Sequence, residues 1–200
     1  PHGSLGRYWN FERQMETSFL HFDYDWEFND SSTLITTWNV RKEGVVDPFS
    51  ISGVPVNPGS YDWNELSLAY NSDSSAPVTA GFRFQGSGFF GGTLRSHGPS
   101  VGFRRGEALS VDLNWSRNHI DLPEGQVITN LASARVAYNF SPRLFAQSLL
   151  QYNDSADVWS VNLRFGWLQD ANTGLFLVYN DIDGLGDIPH TSAGRSVIVK

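Results

Sequence analysis

The sequence predicts an all-β chain, an antiparallel up-and-down transmembrane β-barrel with about twelve strands visible in one domain over residues 1–200. Three observations predict it. Apolar and polar residues alternate with period two along almost the whole chain, which in a strand sends successive side chains to opposite faces. The alternating runs reach around ten residues, where strands of soluble proteins have about five or six. Aromatic residues make up 14% of the chain against 40% for all hydrophobic residues, so rings supply more than a third of its apolar character.

The first strand is expected near 5–14 and the second near 17–29. In the second, Leu20, Phe22, Tyr24, Trp26 and Phe28 alternate with His21, Asp23, Asp25 and Glu27. The polar cluster 29–32 turns the chain into a third strand near 32–42, because Asn, Asp and Ser readily satisfy turn geometry. A long connection, 43–60, precedes strands near 61–71 and 77–86, themselves joined by the polar stretch 71–76. Connections at 86–90 and 104–107 frame strands near 90–103 and 107–118. The latter sets Leu109, Val111, Leu113 and Trp115 against Ser110, Asp112, Asn114 and Ser116.

A long connection at 119–130 follows, and the strand near 130–140 places Ala132, Ala134, Val136, Tyr138 and Phe140 opposite Ser133, Arg135 and Asn139. Ser141-Pro142 turns into a strand near 143–153, and 153–157 leads to 157–168, where Trp159, Val161, Leu163, Phe165 and Trp167 alternate with Ser160, Asn162 and Arg164. A turn at 169–174, a strand at 174–181, a long connection at 181–194 and a strand from 195 onward complete the series. Short connections thus alternate with connections that are often longer, the asymmetry of a barrel with tight turns on one side of a membrane and loops on the other.

A tilted strand of about 9–11 residues crosses a bilayer, and its backbone groups must pair with neighbouring strands because lipid offers no hydrogen bonds. On this reading Phe22, Tyr24, Trp26, Phe28, Trp115, Tyr138, Trp159, Phe165 and Trp167 face lipid, with rings gathered at the interfaces. His21, Asp23, Asp25, Glu27, Arg83, Asp112, Arg135 and Arg164 line a polar lumen, where charges inside strands need no buried partner. The competing architecture is a soluble carbohydrate-binding β-sandwich, lectin-like, whose strands also alternate but bury one face in a core.

Composition excludes several classes. A net charge of −7 gives no basic stripe for a phosphate backbone, so no nucleic-acid partner is expected. Without cysteine the chain has no disulfide framework, thiol nucleophile or Cys-based zinc site. No run approaches the roughly 18 apolar residues of a membrane helix.

Gly86-Ser87-Gly88-Phe89-Phe90-Gly91 matches G-x-G-x-x-G, but the dinucleotide fingerprint works only where a helix follows, and strands flank this one. Asp181-Ile182-Asp183-Gly184-Leu185-Gly186-Asp187 has the flavour of a calcium loop, yet Leu185 and Ser192 fall where an EF-hand needs oxygen ligands. His2, His21, His97, His119 and His190 show no ligand spacing, so neither metal nor cofactor is expected. Asp23, Asp25 and Glu27 share a strand face, as a glycosidase pair would, but nothing supplies a cleft or a raised pKa. No catalytic residue is assigned and no enzyme is expected.

The C-terminal half carries a more specific series of strings: Leu122-Pro123-Glu124-Gly125, Arg135-Val136-Ala137-Tyr138-Asn139-Phe140-Ser141-Pro142-Arg143-Leu144-Phe145, Gln151-Tyr152-Asn153, Asn162-Leu163-Arg164-Phe165-Gly166-Trp167, Leu175-Phe176-Leu177-Val178-Tyr179-Asn180 and Arg195-Ser196-Val197-Ile198-Val199-Lys200. Over 109–200 this order resembles the C-terminal region of a bacterial outer-membrane family in which a family-9-like carbohydrate-binding domain precedes a β-barrel domain. The resemblance implies a porin-like, Gram-negative cell-envelope module that anchors the binding domain and passes glycans or small polar solutes. Its partners would be outer-membrane lipids directly and glycans through the upstream domain. Pro1 accordingly reads as a cut end, and the chain as the C-terminal fragment of a longer protein.

Overall fold

The computed structural model describes residues 1–170, 173–184 and 194–200. Its secondary structure is all strand: β1 (His2–Trp9), β2 (Met15–Glu27), β3 (Thr33–Val45), β4 (Phe49–Ile51), β5 (Val54–Val56), β6 (Gly59–Asn71), β7 (Val78–Phe89), β8 (Gly92–Arg105), β9 (Leu109–Leu122), β10 (Gly125–Ser141), β11 (Leu144–Asn153), β12 (Val158–Asp170), β13 (Thr173–Gly184) and β14 (Gly194–Val199). Twelve of these form one sheet in the order β1-β2-β3-β6-β7-β8-β9-β10-β11-β12-β13-β14, so each strand pairs with its neighbour in the chain apart from the step across β4 and β5. The series has two ends, β1 and β14.

Residues gather into two compact units, the first comprising Pro1–Ser74, Gly81–Gly98 and Arg117–Ile128, and the second Ser75–Ala80, Pro99–Ser116 and Thr129–Lys200. Within the first, antiparallel register sets Phe22 opposite Trp38 and Leu20 opposite Val40 on one face. The Phe22 and Trp38 rings stack with centroids 6.0 Å apart. On the other face His21 lies opposite Asn39, and Asn39 opposite Glu65. Within the second, Phe165 lies opposite Ala146 and Leu177, while Arg164 lies opposite Gln147 and Val178.

At two glycines a side chain would have to displace a facing ring. Gly6 pairs with Phe19 and Gly166 with Phe145, and in each case the partner's ring covers the position where a Cβ would stand. An aromatic ring laid over a cross-strand glycine restores the packing that the missing side chain forfeits.

The buried apolar residues among those described are Val56, Leu122 and Val127. They lie on β5 and at the adjoining ends of β9 and β10, and Gly125, the first residue of β10, sits against Val54. The β4–β5 hairpin, which pairs Phe49 with Val56, lies inside the expected 43–60 connection. Beside it, the β7–β8 turn holds Phe90 at φ 45° and Gly91 at φ 83°. Phe90 is a bulky residue in the left-handed region, a costly conformation that persists only where surroundings enforce it. Its ring meets Phe49, Tyr61, Trp63 and Phe89 at centroid distances of 5.3, 5.5, 5.3 and 4.9 Å.

Some expected boundaries move. The first strand spans His2–Trp9, and 10–14 form a turn in which Gln14 N donates to Asn10 Oδ1 at 2.8 Å. The expected long connection at 119–130 is almost wholly strand, with only Pro123 and Glu124 between β9 and β10. Backbone pairing carries a ladder past the end of an apolar row, so polar sequence alone does not end a strand. Residues 181–184 likewise extend β13, and the rest of the expected 181–194 connection up to 193 lies outside the described residues.

Candidate functional site

The polar face of the sheet concentrates the groups capable of chemistry. In the first unit, register places Ser4, His21, Asn39, Glu65 and Ser87 in one row across β1, β2, β3, β6 and β7. His21 Nδ1 lies 2.6 Å from Asn39 Oδ1, and Asn39 Nδ2 donates to Glu65 Oε1 at 2.8 Å. Arg41 Nε stands 3.3 Å from Glu65 Oε2, an ion pair whose geometry falls short of a hydrogen bond. Two residues beyond Arg41 on the same face, Thr17 Oγ1 donates to Glu43 Oε2 at 2.7 Å. Asn39 is only 5% exposed, so its amide needs both partners to avoid stranding a polar group. Arg41, Glu43, Trp63, Glu65, Gln85 and Ser87 border a cavity of about 230 Å³ that ends against Phe89 and Phe90.

The other residues expected on this face fall in adjoining rows. Asp23 lies opposite His2 and Thr37, Asp25 opposite Ile35, and Glu27 opposite Thr33. Arg83 lies opposite Ala69, which itself pairs with Ile35, so it shares a face with Asp25.

In the second unit Arg135 pairs with Leu149, and Asn114 Nδ2 donates to Ser133 Oγ at 3.5 Å. Asp112, two residues before Asn114, therefore shares the face of Ser133 and Arg135. Arg164 holds its guanidinium over the rings of Phe145 and Phe176, 5.7 and 5.0 Å from their centroids, a cation–π arrangement. Beside it Asn162 Nδ2 donates to Asn180 Oδ1, and Asn180 Nδ2 to Ser196 Oγ at 3.2 Å.

The opposite face is apolar and uncovered. All nine aromatics expected there, Phe22, Tyr24, Trp26, Phe28, Trp115, Tyr138, Trp159, Phe165 and Trp167, are 39–51% exposed. In the second unit this face holds an apolar hollow of about 380 Å³, floored by Ala146 and Ser148 between Val136, Tyr138, Leu163 and Phe165. Charge enters it near one end of β13: Tyr179 Oη donates to Asp181 Oδ2 at 2.8 Å, and Arg195 Nε stands 3.1 Å from the same oxygen. Sequence spacing sets Asp181 at the start of a long connection and Arg195 at the start of the last strand, whereas register puts Asp181 beside Val161 on the apolar side.

Sequence spacing also misses His2. Nineteen residues separate it from His21, yet the β1–β2 register sets it opposite Asp23, and His2 Nδ1 and His21 Nε2 each lie 3.0 Å from Asp23 Oδ1. The Gly86–Gly91 motif forms strand, turn and strand, with no helix N-terminus to receive a pyrophosphate. Of the calcium-like segment, Asp181 and Asp183 lie in β13, and Leu185, Gly186 and Asp187 fall outside the described residues.

Chemically the polar face offers paired charges, amides and hydroxyls able to hold water and polar solutes, while the apolar face, apart from the Tyr179–Asp181–Arg195 cluster, offers contact area. No protein-family model, curated protein or solved structure matches this chain.

Proposed function

We propose that the chain is the transmembrane portion of a bacterial outer-membrane β-barrel, non-enzymatic, which anchors an upstream carbohydrate-binding domain and offers glycans or small polar solutes a polar path. The observation that carries this reading is the uncovered aromatic face. An aromatic side chain left half exposed keeps roughly 100 Å² from burial, worth about 2.5 kcal/mol at ~25 cal/mol per Å². Nine such rings amount to about 20 kcal/mol, more than the ~5–15 kcal/mol by which whole domains are stable. Water is a poor solvent for such a face and hydrocarbon a good one. A soluble sandwich would cover these rings with a second sheet, and the described residues contain no such layer.

The end of β13 fits an interfacial level, since Asp181, Arg195 and Tyr179 satisfy one another there and the tilted rings of Tyr152 and Trp159 lie 4.6 Å apart on the neighbouring strands. Anchoring and glycan passage rest on the C-terminal resemblance.

Expression with a signal sequence should place the chain in the outer-membrane fraction, with detergent-dependent folding and heat-modifiable gel migration. In intact cells a thiol reagent should reach a cysteine at Asp183 and not one at Pro142, against a background free of native cysteine. Solubility without detergent would refute the barrel, and the reverse labelling pattern its orientation.

A further inference from the structure

We infer that His2, His21 and Asp23 form a binding site for a borderline divalent transition metal, of the Zn²⁺, Cu²⁺ or Ni²⁺ class. One ligand atom from each residue lies within 4.8 Å of the other two. Two N···O separations are already 3.0 Å, close to the ~3.3 Å between ligands of a tetrahedral ion with bonds of about 2.0–2.1 Å. Two imidazoles and one carboxylate suit these ions better than calcium or magnesium, which prefer oxygen alone.

The hydrogen-bond chain behind His21 supplies the second, independent argument. Glu65 Oε1 can only accept from Asn39 Nδ2, which turns Asn39 Oδ1 toward the ring of His21. Asn39 Oδ1 is an acceptor, so His21 Nδ1 must carry a hydrogen, and in the neutral ring Nε2 then presents a lone pair. That lone pair faces Asp23 Oδ1, itself an acceptor, at 3.0 Å. Two acceptors hold that distance only with positive charge between or beside them. His2 brings a third donor atom to the same oxygen, from a side chain 67% exposed and free to adjust. A ligating histidine whose other nitrogen donates to a fixed carbonyl is the usual outer support of a metal site. Here Asn39, held by Glu65, is that support. The three residues leave a coordination position for water.

The site needs only the pairing of β1, β2 and β3, so it stands or falls apart from the membrane reading. The test is calorimetric titration of ZnCl₂ into the chelator-treated full chain, with Cu²⁺ paramagnetic resonance as a second measurement. One equivalent of Zn²⁺ is expected, and the Cu²⁺ spectrum should show coupling to two nitrogens. His2→Gln, at an exposed position that leaves folding intact, should weaken binding at least tenfold and reduce the coupling to one nitrogen. His21→Gln and Asp23→Asn should each weaken it about 10–100-fold, and Asn39→Leu, which touches no metal, about tenfold. Absence of Zn²⁺ binding by the unmodified chain, with a proton alone joining the three groups, would overturn the proposal. So would His2→Gln binding with unchanged affinity and spectrum.

Discussion

Replacing Leu163 by arginine asks which solvent the apolar face meets. Leu163 is 43% exposed and central in the apolar row of β12, with Val161 and Phe165 beside it and Trp159 and Trp167 at the ends. The row rises through eight residues, about 26 Å at roughly 3.3 Å each. At a tilt near 40° that is ~20 Å along the membrane normal, comparable to the ~25 Å apolar band of outer-membrane barrels. The cross-strand neighbours are Ser148 and Tyr179, and Asp181 on the same face is already engaged by Arg195 and Tyr179. A guanidinium there therefore meets no free carboxylate among the described cross-strand neighbours.

Arginine at the middle of a lipid band costs about 2–4 kcal/mol, whereas on a wet surface it stays within ~0.5 kcal/mol. A loss of about 3 kcal/mol is more than a hundredfold in the folding equilibrium, at about 1.4 kcal/mol per factor of ten. Reversible guanidinium unfolding in phospholipid vesicles, followed by tryptophan fluorescence, measures it. Ser160→Arg, on the opposite face, is the control and should change stability by no more than ~0.5 kcal/mol. Equal, small effects at both positions would show that water wets both faces and would refute the reasoning.

Two further outcomes follow from local geometry. In the turn between β2 and β3, Ser32 donates to the Asp30 carboxylate from its hydroxyl at 2.6 Å and from its backbone N at 3.0 Å, which holds the Asp30 pKa below its usual value. A depressed folded-state pKa means that this contribution is complete above the unfolded value near 4 and fades as pH falls through the folded one. The protection of the Ser32 amide, its exchange rate taken relative to the intrinsic rate at each pH, should therefore fall at acid pH in the native chain, while in Asp30→Asn that ratio should not change with pH. At the β7–β8 turn, Phe90→Ala should destabilise by about 2 kcal/mol through loss of the ring cluster, and Phe90→Gly should recover about 1 kcal/mol of that by relieving the positive φ. If glycine proves no better than alanine in denaturant titrations, the turn does not hold strain.

How much of this was legible from sequence depends on range. Period two assigns a face from two neighbours, which is why Trp159 and Arg164, or Tyr24 and Asp25, separate without any tertiary knowledge. Register is a different matter, since it couples residues far apart in sequence. The approach of His2 to Asp23 and the Asn39 link between His21 and Glu65 follow only once β1, β2, β3 and β6 are aligned. Connections were hardest to read, because 119–130 has the composition of a loop and is held as a ladder, while 43–60 conceals a hairpin whose Val54 lies against Gly125 at the start of β10.

The glycines beneath Phe19 and Phe145 settle an ambiguity that alternation leaves open. Sliding a strand by one residue would exchange its two faces and is forbidden outright. Sliding it by two keeps every polar side chain on its own side, so polarity alone cannot tell the native alignment from its nearest competitor. The rings can: displaced by two, Phe19 would meet Ser4 or Tyr8 in place of Gly6, and Phe145 would meet Arg164 or Leu168 in place of Gly166. Each ring and glycine act as a key and slot, and each picks out one alignment of its own strand pair, β1 with β2 and β11 with β12, from a ladder of near-equivalents.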